Sequence, residues 1–186
     1  LWGPHVIGYS FKTNYLMAES QILQQEGAWA EVVSGYEYEM ARRLGHRPSQ
    51  IIYNGPYKDD QSLHLALQHR ALLNVNEHDE LDRIVAGVTG SDQIHEVGIR
   101  VTSDLPRLGL SRFGFSMENE EARVAVDRIA GCPNLRLVGL HSHLYGDTDD
   151  PTLYGLAAER LGRFASESLV DFQRNLKYVD LGGGYP

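Results

Sequence analysis

The chain has 186 residues, 42% hydrophobic and 23% charged, an ordinary globular composition sufficient for one substantial core. A formal net charge of -8 excludes a broad nucleic-acid-binding face, though not a local anion site. One cysteine, Cys132, excludes an internal disulfide; no apolar run reaches the ~18 residues needed to span a bilayer, and "LWGPHVIGYS" lacks signal-peptide features, so a cytoplasmic protein is expected.

In chain order, the strand candidates are "HVIGYSF" (5–11), "AEVVS" (30–34), "QIIYNG" (50–55), "ALLNV" (71–75), "VGIRVT" (97–102), "LVGLHSHL" (137–144) and "KYVDL" (177–181). Amphipathic segments lie between most of them. Asn76 reads as a helix cap with Asp79 three residues on, followed by core positions Leu81, Ile84 and Val85. Ser116 reads as a second cap, ahead of Ala122, Ala125, Val126 and Ile129. The longest helix is predicted from about Pro151 to Phe172, with Leu153, Leu156, Ala157, Leu161, Phe164 and Leu169 near one stripe. Strand alternating with helix, about seven times without a linker or repeat, predicts an α/β fold of (β/α)8 TIM-barrel type that is partial in this chain.

Barrel chemistry gathers at the C-terminal ends of the strands, and the unusual residues fall there. Lys12 ends the first strand, and Ser34 and Glu37 follow the second; Asn54 ends the third, His141 and His143 the sixth, and Gly182, Gly183 and Gly184 the seventh. Side-chain alternation puts Gly8, Ser10 and Lys12 on one face, and Gly139, His141 and His143 on one face opposite Val138, Leu140 and Leu144.

Three chemistries could use this set. A pyridoxal phosphate site needs an amine for a Schiff base, which burial would favour in its neutral form, glycine N–H groups for the phosphate and a flat side chain against the ring; Lys12, Gly182 to Gly184 and His143 match those needs. A metal-dependent hydrolase barrel would instead use His141 and His143 as ligands, with Asp180 as the further candidate. A binding or regulatory barrel would keep the scaffold without the reaction.

Several stretches resemble one family. "YSFKTN" resembles the cofactor-lysine signature Tyr-x-x-Lys-x-Asn of fold-type III pyridoxal-phosphate enzymes, whose barrel is alanine racemase-like. "AEVVSGYEYEMARRLG", "IIYNGPYKDDQSLHLAL", "LNVNEHDELDRI", "LSRFGF", "GLHSHLYG" and "VDLGGGYP" are similar, in family order, to segments of its ornithine/diaminopimelate/arginine decarboxylase branch. The resemblance implies pyridoxal-phosphate-dependent loss of carbon dioxide from a basic or diamino acid. Lys12 would hold the cofactor, His143 would stack on its ring, Gly182, Gly183 and Gly184 would bind its phosphate, and no metal would be needed. Glu37 would stand behind the site, and Arg112 falls where the family has a basic residue.

The departures are specific. Glu31 stands where the family has aspartate, and Gly146 where it has a phosphate-binding serine. Pro186 precedes the family's Glu-x-Gly-Arg strand and its C-terminal β-domain. The resemblance therefore implies that residues 1–186 are a partial cofactor-binding barrel, inactive or barely active alone, and that the full-length protein is a cytoplasmic homodimer acting on a small amino acid, with no nucleic-acid or membrane partner.

Overall fold

Parallel strands form where short apolar runs were expected, in a computed structural model that describes residues 4–144, 148–168 and 175–184. They belong to two compact units, Leu1–Leu73 and Asn74–Pro186. In the first, β1 (Gly8–Ser10), β2 (Trp29–Val32), β3 (Ile51–Tyr53) and the start of β4 (Leu72–Val75) pair parallel in chain order. Helices α1 (Met17–Gln25), α2 (Gly35–Arg43) and α3 (Asp60–His69) connect them. Ala30, Val32, Ile51 and Tyr53 are fully buried and alternate with the less buried Glu31 and Ile52, the period of two that separates the faces of a strand. The buried face meets the helices: Tyr53 stacks on Tyr38 of α2 at 5.6 Å between centroids, and its hydroxyl lies 3.0 Å from Ser62 Oγ of α3.

In the second unit the rest of β4 pairs with β5 (His95–Thr102), β5 with β7 (Leu135–His141), and β7 with β8 (Tyr178–Asp180), again all parallel. Helices α4 (His78–Val88), α5 (Glu121–Ala130) and α6 (Pro151–Ser168) intervene. A two-residue strand, β6 (Phe115–Ser116), pairs with the end of β5; it starts at the last residue of "LSRFGF", which carries no strand periodicity of its own. Six of the eight β5 residues and six of the seven β7 residues are buried, as parallel strands covered on both faces require. Gly98 and Gly139 make room for the Tyr178 ring: a Cβ on Gly139 would sit 1.9 Å from Tyr178 Cζ. The Tyr178 hydroxyl donates to Asn74 Oδ1 at 2.8 Å, and burial pushes its pKa far above the usual phenol range.

The helix starts share a device. Glu37, Glu80 and Glu121, each in a first turn, accept the backbone N–H of Val33, Asn76 and Ser116 at 2.8, 2.9 and 3.0 Å. Each carboxylate thereby ties a helix N-terminus to the strand end before it, where donors would otherwise lack acceptors and the helix dipole favours negative charge. This corrects two sequence expectations. The cap of α4 is Glu77 rather than Asn76, because Glu80 takes the reciprocal position that Asp79 was expected to fill. Ser116 belongs to β6, and α5 starts from Glu120, at φ 68. The core positions of α5 are as expected, whereas in α4 Val88 is buried and Val85 only partly so. In α6, Leu153, Ala157 and Leu161 are buried, and the expected continuation to Phe172 lies outside the described residues.

His46 is 5% exposed, edge-on to Phe11 at 6.1 Å, and neither ring nitrogen has a hydrogen-bond partner among the described residues. Burial lowers its pKa, so the folded state disfavours the imidazolium. The unfolded chain then takes up the proton first, and stability falls as pH drops from about 6.5, the ordinary histidine value, toward the lower folded one. Melting temperature against pH checks this: His46→Gln should flatten the loss below about pH 6.5, relative to the wild type.

Candidate cofactor site

In the first unit the chain leaves β1 at Ser10 and turns, with Thr13 N–H and Oγ1 both donating to Ser10 O. Lys12 therefore lies in the turn beyond the strand, not at its last position, and is exposed rather than enclosed. Phe11, 1% exposed, anchors the turn from the other side. Ser10 Oγ donates to Glu31 Oε2 on the adjacent strand. Glu37, buried at the start of α2, is held by a reciprocal pair of bonds: its N–H donates to Ser34 Oγ at 3.2 Å and its Oε2 accepts Val33 N–H. Burial raises the Glu37 pKa; the Val33 N–H opposes this, Glu31 adds to it, and Lys12 opposes it. Lys12, Glu31 and Glu37 thus form one electrostatic group.

The sequence contains three lysines. Lys58 is fully buried, donates to Gly55 O at 2.7 Å and lies 5.3 Å from the Tyr53 ring centroid. Lys177 pairs with both carboxylate oxygens of Glu96, at 2.7 and 2.6 Å. Among the described residues, only Lys12 presents an exposed amine without a hydrogen bond or ion pair at contact distance.

In the second unit the structure joins His143 to the glycine turn. Gly183 N–H donates to His143 Nδ1 at 3.2 Å, Gly182 N–H to Asp180 Oδ1 at 2.8 Å, and the Tyr154 hydroxyl to Gly184 O at 2.6 Å. Gly182 has φ +74, and a Cβ there would lie 2.5 Å from His143 Nδ1 and 2.9 Å from both His143 Cα and Ser142 O. Only glycine fits that position. A Cβ on Gly183 would meet nothing within 4 Å. The turn is thus gripped on either side of an open centre.

The two histidines do not share a target. His141, 2% exposed, ends β7 with Nδ1 3.0 Å from Asp180 Oδ2, whereas His143 lies beyond the strand and faces the turn. Among the described residues no three metal-ligating side chains converge. Arg112 is exposed and lies 4.9 Å from the Phe113 ring, as Arg100 does at 5.2 Å, an arrangement that ties Arg112 to aromatic packing. Gly146 lies outside the described residues.

The family model for the pyridoxal-dependent decarboxylase pyridoxal binding domain matches residues 1–186. The chain belongs to that family. Diaminopimelate decarboxylase of Aquifex aeolicus is 31% identical over 96% of the chain and 44% of its own length. Among solved structures, diaminopimelate decarboxylase from Helicobacter pylori complexed with L-lysine superposes with a TM-score of 0.85, at 25% identity, over 96% of this chain and 47% of that one. The arginine decarboxylase of Paramecium bursaria Chlorella virus, bound to agmatine, shares the fold at 20% identity, with a TM-score of 0.80. The chain spans less than half the length of these relatives. Membership in the pyridoxal-dependent decarboxylases fixes the fold as a partial TIM-type barrel of the alanine racemase-like kind, and pyridoxal phosphate as the cofactor. It also overturns the metal-hydrolase alternative for His141 and His143.

The residues present fit that cofactor. Each unit by itself carries part of what such a cofactor needs: the first an unengaged amine suited to an aldehyde, the second a planar ring held by one nitrogen and a glycine turn with an open centre, suited to a pyridine ring and a phosphate. Two refinements follow from the geometry. Gly182 N–H is already committed to Asp180, so this glycine serves by its shape. Asp180, which the sequence suggested only as a metal ligand, contacts the glycine turn; it and His141 are each the last residue of their strand.

Proposed function

We propose that this chain is the cofactor-binding part of a decarboxylase that converts a basic or diamino acid to an amine and carbon dioxide. The observation that carries the reading is the state of the three lysines: two are engaged and Lys12, in the family's signature position, is not. When bound, pyridoxal phosphate supplies an electron sink for the carbon that loses its carboxylate. Lys12 would hold the cofactor through its amine, and the same amine could carry a proton at Nζ. Glu31 and Glu37 favour the cationic form of any amine near them, substrate amines included.

His143 orients the ring. Its Nδ1 accepts a backbone N–H, so in the neutral imidazole the proton sits on Nε2 and the ring plane is fixed from the turn side. Gly183 and Gly184 offer N–H groups to the phosphate, and Gly182 bends the backbone around it. The reading includes a small amino acid as substrate, a homodimer for the full-length protein, a cytoplasmic location, and neither nucleic acid nor membrane as partner. Among the described residues no helix is long and apolar enough to cross a membrane.

Carbon dioxide release by the full-length protein, across a panel of amino acids with pyridoxal phosphate added, tests the reading. Release from one or more of diaminopimelate, ornithine, lysine and arginine, and none from alanine or leucine, is expected. Cofactor binding without release from any of them would replace the enzyme with a regulatory relative.

A further inference from the structure

The geometry points to Asp180 as the positioning residue of the glycine turn: one carboxylate oxygen accepts the Gly182 N–H while the other lies beside His141, and through the turn Asp180 sets the tautomer of His143. This rests on the reading of His143 and the turn as the cofactor's seat.

Asp180 and His141 are register partners at the ends of β8 and β7, so their side chains emerge side by side. Ser142 N–H donates to Asp180 O at 2.8 Å, which keeps the two segments paired past the strand ends. Asp180 Oδ1 then takes the Gly182 N–H, and Oδ2 lies 3.0 Å from the buried His141 Nδ1. His141 Nδ1 has no hydrogen-bond partner among the described residues, so Asp180 lies beside His141 and acts on the turn through Gly182. With Gly182 fixed, the next N–H, that of Gly183, reaches His143 Nδ1. That contact needs a lone pair, so neutral His143 carries its proton on Nε2. His143 is therefore held in one tautomer through the turn that Asp180 fixes. Gly182 and Gly184 both have positive φ, the conformations a glycine chain abandons most readily when an anchor is lost.

The test combines nitrogen-15 NMR of the histidine rings without cofactor and absorbance titration with pyridoxal phosphate, in the full chain. In Asp180→Ala, His143 should lose its Nε2–H preference, and cofactor affinity should fall about tenfold or more, the scale of losing a charge-assisted hydrogen bond. Asp180→Asn keeps an oxygen for Gly182, as asparagine does at helix caps, and should hold affinity within about threefold and leave His143 unchanged. Wild-type affinity with an unchanged His143 in the alanine variant, or an asparagine variant as weak as the alanine one, would overturn the proposal. The tautomers are read without cofactor, so a wild type that fails to bind pyridoxal phosphate would sink the functional reading and leave this test standing.

Discussion

Lys12→Ala is expected to abolish the covalent pyridoxal chromophore and to lower carbon dioxide release by about a thousandfold, within the range attributed to a positioned proton-transferring side chain. The loss should appear in turnover, while the phosphate and ring contacts still hold the cofactor noncovalently. The fold should be unaffected, because Lys12 is exposed and lies in a turn closed by Ser10 and Thr13 and anchored by Phe11. Lys12→Arg keeps the charge beside Glu31 and Glu37 but cannot form the link. It should be as inactive as the alanine variant, which separates nucleophile from countercharge.

The second large effect is expected at the turn, where two neighbouring glycines should behave differently. Gly182→Ala places a Cβ against His143 Cα and Ser142 O at 2.9 Å, at a left-handed φ that costs a non-glycine residue about 1–2 kcal/mol by itself. The backbone must shift, so melting temperature and cofactor affinity should fall together, the latter by about 10- to 100-fold. Gly183→Ala meets nothing within 4 Å. It should leave the melting temperature alone yet weaken cofactor binding, because the added methyl group would occupy the space that the phosphate needs. Calorimetry without cofactor, paired with absorbance titration, checks both. A Gly183→Ala variant with undiminished affinity would move the phosphate elsewhere.

The architecture was legible because parallel strands write their burial into short apolar runs: "VGIRVT" and "LVGLHSHL" predicted β5 and β7 to within a few residues. What escaped was set by tertiary pairing. β6 is two residues long and exists through its pairing with the end of β5. The caps of α4 and α5 moved because first-turn glutamates, rather than the nearest Asn or Ser, closed the strand-to-helix turns. Within the candidate site, the glycine turn and His143 were legible as chemical types, and the family resemblance gave their roles. Alternation had put His141 and His143 on one face, but the strand ends at His141, and past that point parity no longer governs direction. The commitment of Lys177 to Glu96 depends on a contact between distant segments, and those of Gly182 to Asp180 and Lys58 to Gly55 on the conformation of a turn, which residue types alone do not record.

The central claim is that Lys12 carries the cofactor. Reducing the pyridoxal-phosphate-loaded protein with borohydride fixes the link permanently, and mass mapping of the peptides locates it. The pyridoxyl group is predicted on Lys12, with Lys58 and Lys177 unmodified. A label confined to either of those two lysines, or loading with no reducible link at all, would contradict the account.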